Sequence, residues 1–291
     1  MAKDILNVGG FTIIKRIGNG ARSTIYLATD GQEQNQIALK RVIYERPEDA
    51  RVFEQTENEF KVARQIDHPY VRKCYQLKKI RGILKVKELL LTMEYFEGKS
   101  LENSPTLSLG DVLLVFRMVA SGLYAMHQHG YVHCDIKPNN ILLSKAGSIK
   151  IIDLGQSCKI GTVKPRIQGT PDYIAPEQVR RKALGPKTDI FNLGATMYWA
   201  LTGKNVPTLI PKTNSYGLPV TEQLIAPHEL KEQIPLRVSK LVMDCVKEEP
   251  AERPNNMMTV ISRLDLIIHS IFGSRIKTNK NASNNNNRLA Q

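Results

Sequence analysis

The stretch His133-Cys134-Asp135-Ile136-Lys137-Pro138-Asn139-Asn140 constrains this chain more than any other. It packs an acid, a lysine and an amide between Asp135 and Asn140. Taken alone, it reads as a polar loop after a helix, with a histidine satisfied by backbone. Order and spacing remove that reading. Downstream, Ile151-Ile152-Asp153-Leu154-Gly155 is a hydrophobic run ending in an acid and a glycine. Then comes Gly169-Thr170-Pro171-Asp172-Tyr173-Ile174-Ala175-Pro176-Glu177. Upstream, Gln36-Ile37-Ala38-Leu39-Lys40 ends an apolar run in a lysine.

The pattern around these segments changes once along the chain. Residues 11–45 hold short β-branched runs, Phe11–Ile14, Ser23–Leu27 and Ile37–Val42, broken by Gly18, Gly20 and Gly31. Pro47 to Ile66 is rich in Glu, Gln, Arg and Ala, and its apolar positions Val52, Phe60, Val62, Ala63 and Ile66 have roughly helical spacing. Two more strands are expected at Lys73–Ile80 and Lys85–Met93. After Tyr95 the chain reads as mostly helical, with helices at Leu109–His129, Thr188–Leu201, Leu236–Val246 and Asn255–Phe272. The second of these helices, Thr188–Leu201, is apolar nearly all round and therefore buried. The fold class is α+β, with a small antiparallel sheet plus one helix in the first part and a mainly helical second part.

Four segments in this order resemble the protein kinases. His133–Asn140 resembles the catalytic loop H-R-D-L-K-P-x-N, with Cys134 for the arginine. Ile151–Gly155 resembles the segment ending in D-F-G, with Leu154 for the phenylalanine. Gly169–Glu177 resembles G-T-x-x-Y-x-A-P-E, and Gln36–Lys40 the V-A-x-K of a strand. Lys137, two residues after the acid, is the serine/threonine form of the loop. The resemblance covers about Phe11 to Ile271 and implies a bilobal kinase fold. Residues 1–10 are then an extension, 11–94 the N-lobe, 97–271 the C-lobe, and 272–291 a basic, Asn-rich, disordered tail.

The resemblance also implies roles. Asp135 would be the base and Lys137 the cation on the γ-phosphate. Asn140 and Asp153 would hold Mg²⁺, a hard cation that prefers oxygen ligands. Lys40 would bind the α- and β-phosphates of ATP, held by Glu59 with Glu57 as fallback. Ile17, Gly18 and Gly20 belong to a glycine-rich hairpin that lets backbone approach phosphate without Cβ interference, with Ser23 where the family has a third glycine. Ile25 and Ala38 would cover the adenine from above and Leu142 from below. Met93 would be the gatekeeper, and the backbones of Glu94 and Phe96 would bind the adenine edge. His133 ties the loop to Asp153, Thr170 bridges Asp135 and Lys137, Asp189 accepts bonds from the loop backbone, and Glu177 pairs with Arg253.

Cys134 is the main departure. The family's arginine there clamps a phosphate on the activation segment, and cysteine cannot pair with phosphate. The chain is therefore expected to act without an activation-segment phosphate. Asn139, with Lys164, Arg166, Arg180, Arg181 and Lys182 nearby in sequence, argues against a basic peptide substrate.

Composition sets the remaining bounds. The 291 residues are 42% hydrophobic, enough for a full core but only for one or two domains. A kinase unit would use nearly all of it. The four cysteines, Cys74, Cys134, Cys158 and Cys245, are scattered, which fits reduced thiols in a cytoplasm better than a disulfide frame. No apolar run is read as reaching the roughly 18 residues that span a bilayer, and Met1–Phe11 does not read as a secretory signal. The net charge is +13, yet aromatics are only 6% and do not interleave with a basic stripe, so nucleic acid is not the expected partner. ATP and a protein carrying Ser or Thr are, with any signal coming through a regulatory partner protein. Compact segments without insertions give the chain a bacterial look.

Two alternatives stand beside an active kinase. One is a pseudokinase scaffold that binds nucleotide or a partner, supported by Cys134, Ser23 and Leu154. The other is a small-molecule kinase of the aminoglycoside type, against which the Gly169–Glu177 segment argues.

Overall fold

Short β-branched runs between Asn7 and Glu94 pair into one antiparallel sheet, ordered β1-β2-β3-β4-β6-β5 along its width. The strands are β1 (Asn7–Val8), β2 (Phe11–Gly20), β3 (Ser23–Asp30), β4 (Gln36–Ile43), β5 (Cys74–Arg81) and β6 (Val86–Glu94). The computed structural model describes residues 7–20, 22–30, 35–82, 85–210, 212–213, 219–220 and 223–286. Gly31, Ala21 and the last residues of the tail, 287–291, lie outside them.

One strand departs from expectation. Asn7 and Val8, read as part of an N-terminal extension, pair with Thr12 and Phe11. Gly9 and Gly10 make the turn at φ of +62° and +98°, which side chains disfavour. Val8 is buried against Ala28, Ile37, Leu39 and Leu90. Two residues are too few to show a strand's period, so only the glycine pair signals this hairpin.

The helix α1 (Ala50–Ala63) packs on the sheet, entered through a 3₁₀ turn at Pro47–Asp49. Its buried residues, Thr56, Glu59, Val62 and Ala63, lie on one face. It ends before Ile66, because Gln65 and Ile66 donate to carbonyls three residues back.

The second lobe begins with β7 (Lys99–Ser100) and α2 (Leu109–Gln128). Ser108 caps α2 by accepting from the Asp111 N–H at 3.2 Å. By length and composition α2 is apolar enough to cross a membrane, with a mean hydropathy of 1.5. That corrects the reading that no run reaches this length. Here its apolar residues are core: Leu113, Phe116, Val119, Ala120, Leu123 and Met126 are fully buried. Then follow β8 (Tyr131–Val132), β9 (Ile141–Leu143), β10 (Ile149–Ile151), β11 (Cys158–Lys159), α3 (Pro176–Val179) and α4 (Pro186–Thr202). The chain closes with β12 (Lys212–Thr213), β13 (Pro219–Val220), α5 (Pro227–Leu230), α6 (Leu236–Cys245) and α7 (Met257–Asn286). The backbone of α7 thus stays helical past 272, where a disordered tail was expected. No proline interrupts it.

One hydrophobic core joins α2, α4, α6 and α7 through Phe116, Phe191, Leu193, Leu241 and Leu264. It continues into the first lobe through Val62, Ile66 and Val71, which meet Ile151 and Leu154. The two lobes therefore share apolar contacts behind the cleft.

Glu177 and Arg253 close the lower lobe. Arg253 Nη1 and Nη2 donate to Glu177 at 2.8 and 2.9 Å. Its remaining donors go to the carbonyls of Lys247, Lys187 and Glu248. All five guanidinium donors are thereby satisfied. Glu177→Ala leaves that buried cation unpaired and should cost about 3–5 kcal/mol, read as a lower urea midpoint. Glu177→Gln, which keeps an acceptor, should lose less.

Candidate active site

β4 carries Lys40 into the cleft and α1 carries Glu59 toward it. The Lys40 ammonium lies 2.7 Å from Glu59 Oε2. Glu59 is fully buried, and Arg72 Nη2 approaches its other oxygen at 3.3 Å. Glu57, the fallback, instead pairs with Lys79 on the exposed side. Burial works against the Lys40 charge, but Glu59 and Asp153 outweigh it and hold the ammonium above its usual value. Arg72 was not foreseen, because nothing in its local sequence marks a partner on α1.

Above Lys40 lies the β2–β3 hairpin, which pairs Gly18 with Ile25 and Gly20 with Ser23. A Cβ on Gly20 would lie 2.5 Å from Ser23 Oγ, so a larger residue there would make the Ser23 hydroxyl turn aside. A Cβ on Gly18 would meet only Ile25, at an ordinary 3.5 Å. Nothing in the protein's own packing demands glycine at 18, which fits a need for close approach from outside. Ile17 on the same hairpin is exposed.

The inner wall is β4 against β6, with Ala38 opposite Met93. Ala38 and Met93 are buried together, with Ile25 packed beside them. On β9, Ile141 and Leu143 face the main core, while half-buried Leu142 between them faces the other way. At the junction of the lobes, Glu94 pairs with Lys150 at 2.7 Å and Phe96 is half-buried.

Asp135, Lys137 and Thr170 form a tight triangle. Thr170 Oγ1 donates to Asp135 Oδ1 at 2.9 Å and accepts from Lys137 Nζ at 2.7 Å. Lys137 Nζ lies 3.0 Å from Asp135 Oδ2. Asn140 Nδ2 donates to the Asp135 carbonyl at 2.8 Å and its carboxylate at 3.3 Å. That leaves Asn140 Oδ1 as the atom open to a cation. The Ile152 N–H donates to the Asn140 carbonyl, bringing Asp153 alongside. His133 Nε2 reaches the Ile152 carbonyl at 3.3 Å rather than Asp153 itself.

Among the described residues, no three His, Cys, Asp or Glu side chains gather as metal ligands. Asn140 and Asp153 supply an oxygen pair that suits Mg²⁺, which takes one or two protein ligands when phosphates complete its shell.

Asp189, at the start of α4, holds this loop in place. It accepts from the His133 and Cys134 N–H groups at 2.9 and 2.8 Å. His127 Nε2 lies 2.8 Å from the same carboxylate. Cys134 sits at φ +66°, a left-handed conformation costly for cysteine. Asp189 on its N–H and Gln178 Nε2 on its carbonyl, at 2.8 Å, hold it there. The Cys134 thiol packs in a small apolar cluster with Val132, Leu184 and Cys158. Gln178 and Asn192, which bond each other at 3.1 Å beneath the loop, were also missed. Gln178 lies in the short α3 and Asn192 in α4, and neither segment carries a signal of what its polar side chain reaches.

A protein kinase domain model matches residues 11–263. The chain is 32% identical to serine/threonine-protein kinase STE20 of Candida glabrata over 82% of its length, which is 26% of that protein. It is 28% identical to serine/threonine-protein kinase PknD of Chlamydia abortus over 84% of its length, 29% of that protein. A third relative, serine/threonine-protein kinases drp72 of Corynebacterium efficiens, is 26% identical over 84% of the chain and 48% of its own length. The chain thus spans a quarter to about a half of these relatives. They come from bacteria and yeast, so the similarity reaches beyond a bacterial type.

Burial alone pushes the Asp189 carboxyl up, but the hydrogen bond and charge of His127, with His133 and the Cys134 N–H, hold it below its ordinary value. A depressed folded-state value stabilises the fold above the unfolded value, about 3.9, and that contribution fades as pH drops through the lower folded value. Asp189→Asn should therefore lower the urea midpoint clearly at neutral pH. The gap to the parent should narrow as the pH is taken well below about 4.

Proposed function

The chain belongs to the protein kinase family, and we propose that it transfers the γ-phosphate of Mg-ATP to a serine or threonine hydroxyl of a protein. The observation that carries this reading is the Asp135–Lys137–Thr170 triangle, formed while Lys40 and Glu59 are paired at 2.7 Å. Phosphoryl transfer demands positioning and charge neutralisation more than covalent chemistry.

Each group has one task. Lys40, oriented by Glu59, neutralises the α- and β-phosphates. Ile25 and Ala38 cover the adenine, Leu142 supports it, and the backbone at Glu94 and Phe96 borders its edge beside Met93. Ile17, Gly18 and Gly20 close over the phosphates. Asn140 and Asp153 would hold Mg²⁺, which would supply charge neutralisation to the phosphates. Asp135 orients the acceptor hydroxyl and takes its proton. Lys137 stands at 3.0 Å from Asp135, where it can balance the negative charge of the phosphoryl group.

The surroundings of Cys134 support activity without a phosphorylated activation segment. In place of a cationic clamp there is an apolar cluster of Val132, Cys134 and Leu184. Ser157 is buried, leaving Thr162, half-exposed, as the nearer phosphoacceptor. The acceptor protein is not a basic peptide, the site of action is the cytoplasm, and regulation comes through a partner protein. The departures that favour a pseudokinase scaffold, Cys134, Ser23 and Leu154, remove none of the groups just named.

With labelled ATP and Mg²⁺, the parent should incorporate phosphoserine or phosphothreonine, while Asp135→Asn should lose about 100-fold or more in rate. Bound nucleotide with no label on the chain or on generic acceptors would move the reading to the scaffold. Thr162→Ala should keep the parent's rate in the same assay. Loss of activity in that variant would overturn independence from phosphorylation.

A further inference from the structure

β11 pairs with β8 so that Cys158 stands opposite Val132, two residues before Cys134. The two sulfurs face each other at 3.7 Å. They join segments 24 positions apart in sequence: Cys134 in the catalytic loop and Cys158 at the start of the activation segment. Cys134 is almost wholly buried, while Cys158 is partly open to solvent. The other two cysteines, Cys74 and Cys245, are buried in different parts of the core.

We propose that Cys158 and Cys134 form a reversible disulfide in response to hydroperoxides, fastening the activation segment to the catalytic loop. Where the family's arginine would tie these segments through a phosphate, this chain would tie them through sulfur. Closing 3.7 Å to a bond of about 2.05 Å asks for a small side-chain adjustment, since β8 and β11 are already paired.

The sulfurs differ in the way a two-step oxidation needs. The hydrogen bond between the two sulfurs, then the Lys164 ammonium and Thr162, lower the Cys158 thiol against its burial. The hydrogen bond to Cys158 and burial raise Cys134. Burial pushes Cys74 and Cys245 up to about 12, leaving them unreactive.

The Cys158 thiolate attacks the distal oxygen of a hydroperoxide. An S–O bond forms, the O–O bond breaks, and the leaving alkoxide or hydroxide takes a proton. Cys134 then attacks the sulfenic sulfur. An S–S bond forms, the S–O bond breaks, and hydroxide leaves with the Cys134 proton as water. Two electrons pass from the sulfur pair to the peroxide, and a dithiol returns them by exchange.

The full chain should be titrated with hydrogen peroxide, alkylated, digested without reduction and weighed. The expected product is a cross-linked peptide pair holding Cys134 and Cys158, about 2 Da below the sum of the free peptides and reversed by dithiothreitol. Cys134→Ser should instead trap a dimedone-reactive sulfenic acid on Cys158, and Cys158→Ser should give no cross-link. The parent's thermal midpoint should rise on oxidation. Both thiols remaining alkylatable, Cys158 pairing between two chains, or an unchanged or lower midpoint would overturn the proposal. The mass measurement needs no catalytic turnover, so its failure is distinct from failure of the phosphotransfer reading.

Discussion

The buried carboxylate of Asp189 is the interaction on which the rest of the site depends. It takes two backbone N–H groups from the catalytic loop and lies against His127. A loop that carries chemistry must hold several polar side chains in one geometry, and its own backbone hydrogen bonds cannot do this. An acid on the most deeply buried helix can, because α4 is itself fixed by the core around Phe191 and Leu193. The left-handed backbone at Cys134 persists because its N–H and carbonyl are both bound from below.

A second carboxylate does the same for the cleft. Glu59 stands between Lys40 on β4 and Arg72, which precedes β5. The Arg72 N–H donates to the Ile151 carbonyl of the lower lobe at 3.0 Å. The position of α1, the cation in the cleft and the junction of the lobes are thus linked through one buried acid. Removing either cation leaves one oxygen of this fully buried carboxylate without its partner, so the arrangement holds as a unit.

Much of this was legible in the sequence. The acid, lysine and amide of 135–140, the acid at 153 and the lysine at 40 lie in segments whose order and spacing mark them. Helix and strand positions followed from periodicity, with ends displaced by a few residues where 3₁₀ turns close α1. What was not legible depends on distance between segments. β1 is too short to have a period, and α7 continues through polar residues with no apolar pattern. Arg72 looks like any cation after a strand break. Cys134 and Cys158 look like scattered thiols.

The sequence by itself determined the chemistry available to this chain, because adjacent residues in a short loop cannot be far apart. It also determined the lobes, because side-chain period selects strand or helix locally. Only the tertiary structure decided between Glu59 and Glu57 for Lys40, brought Arg72 to the same carboxylate, and showed that two cysteines meet. Those pairings join residues many positions apart, and the packing of the core, rather than any local pattern, brings them within bonding distance.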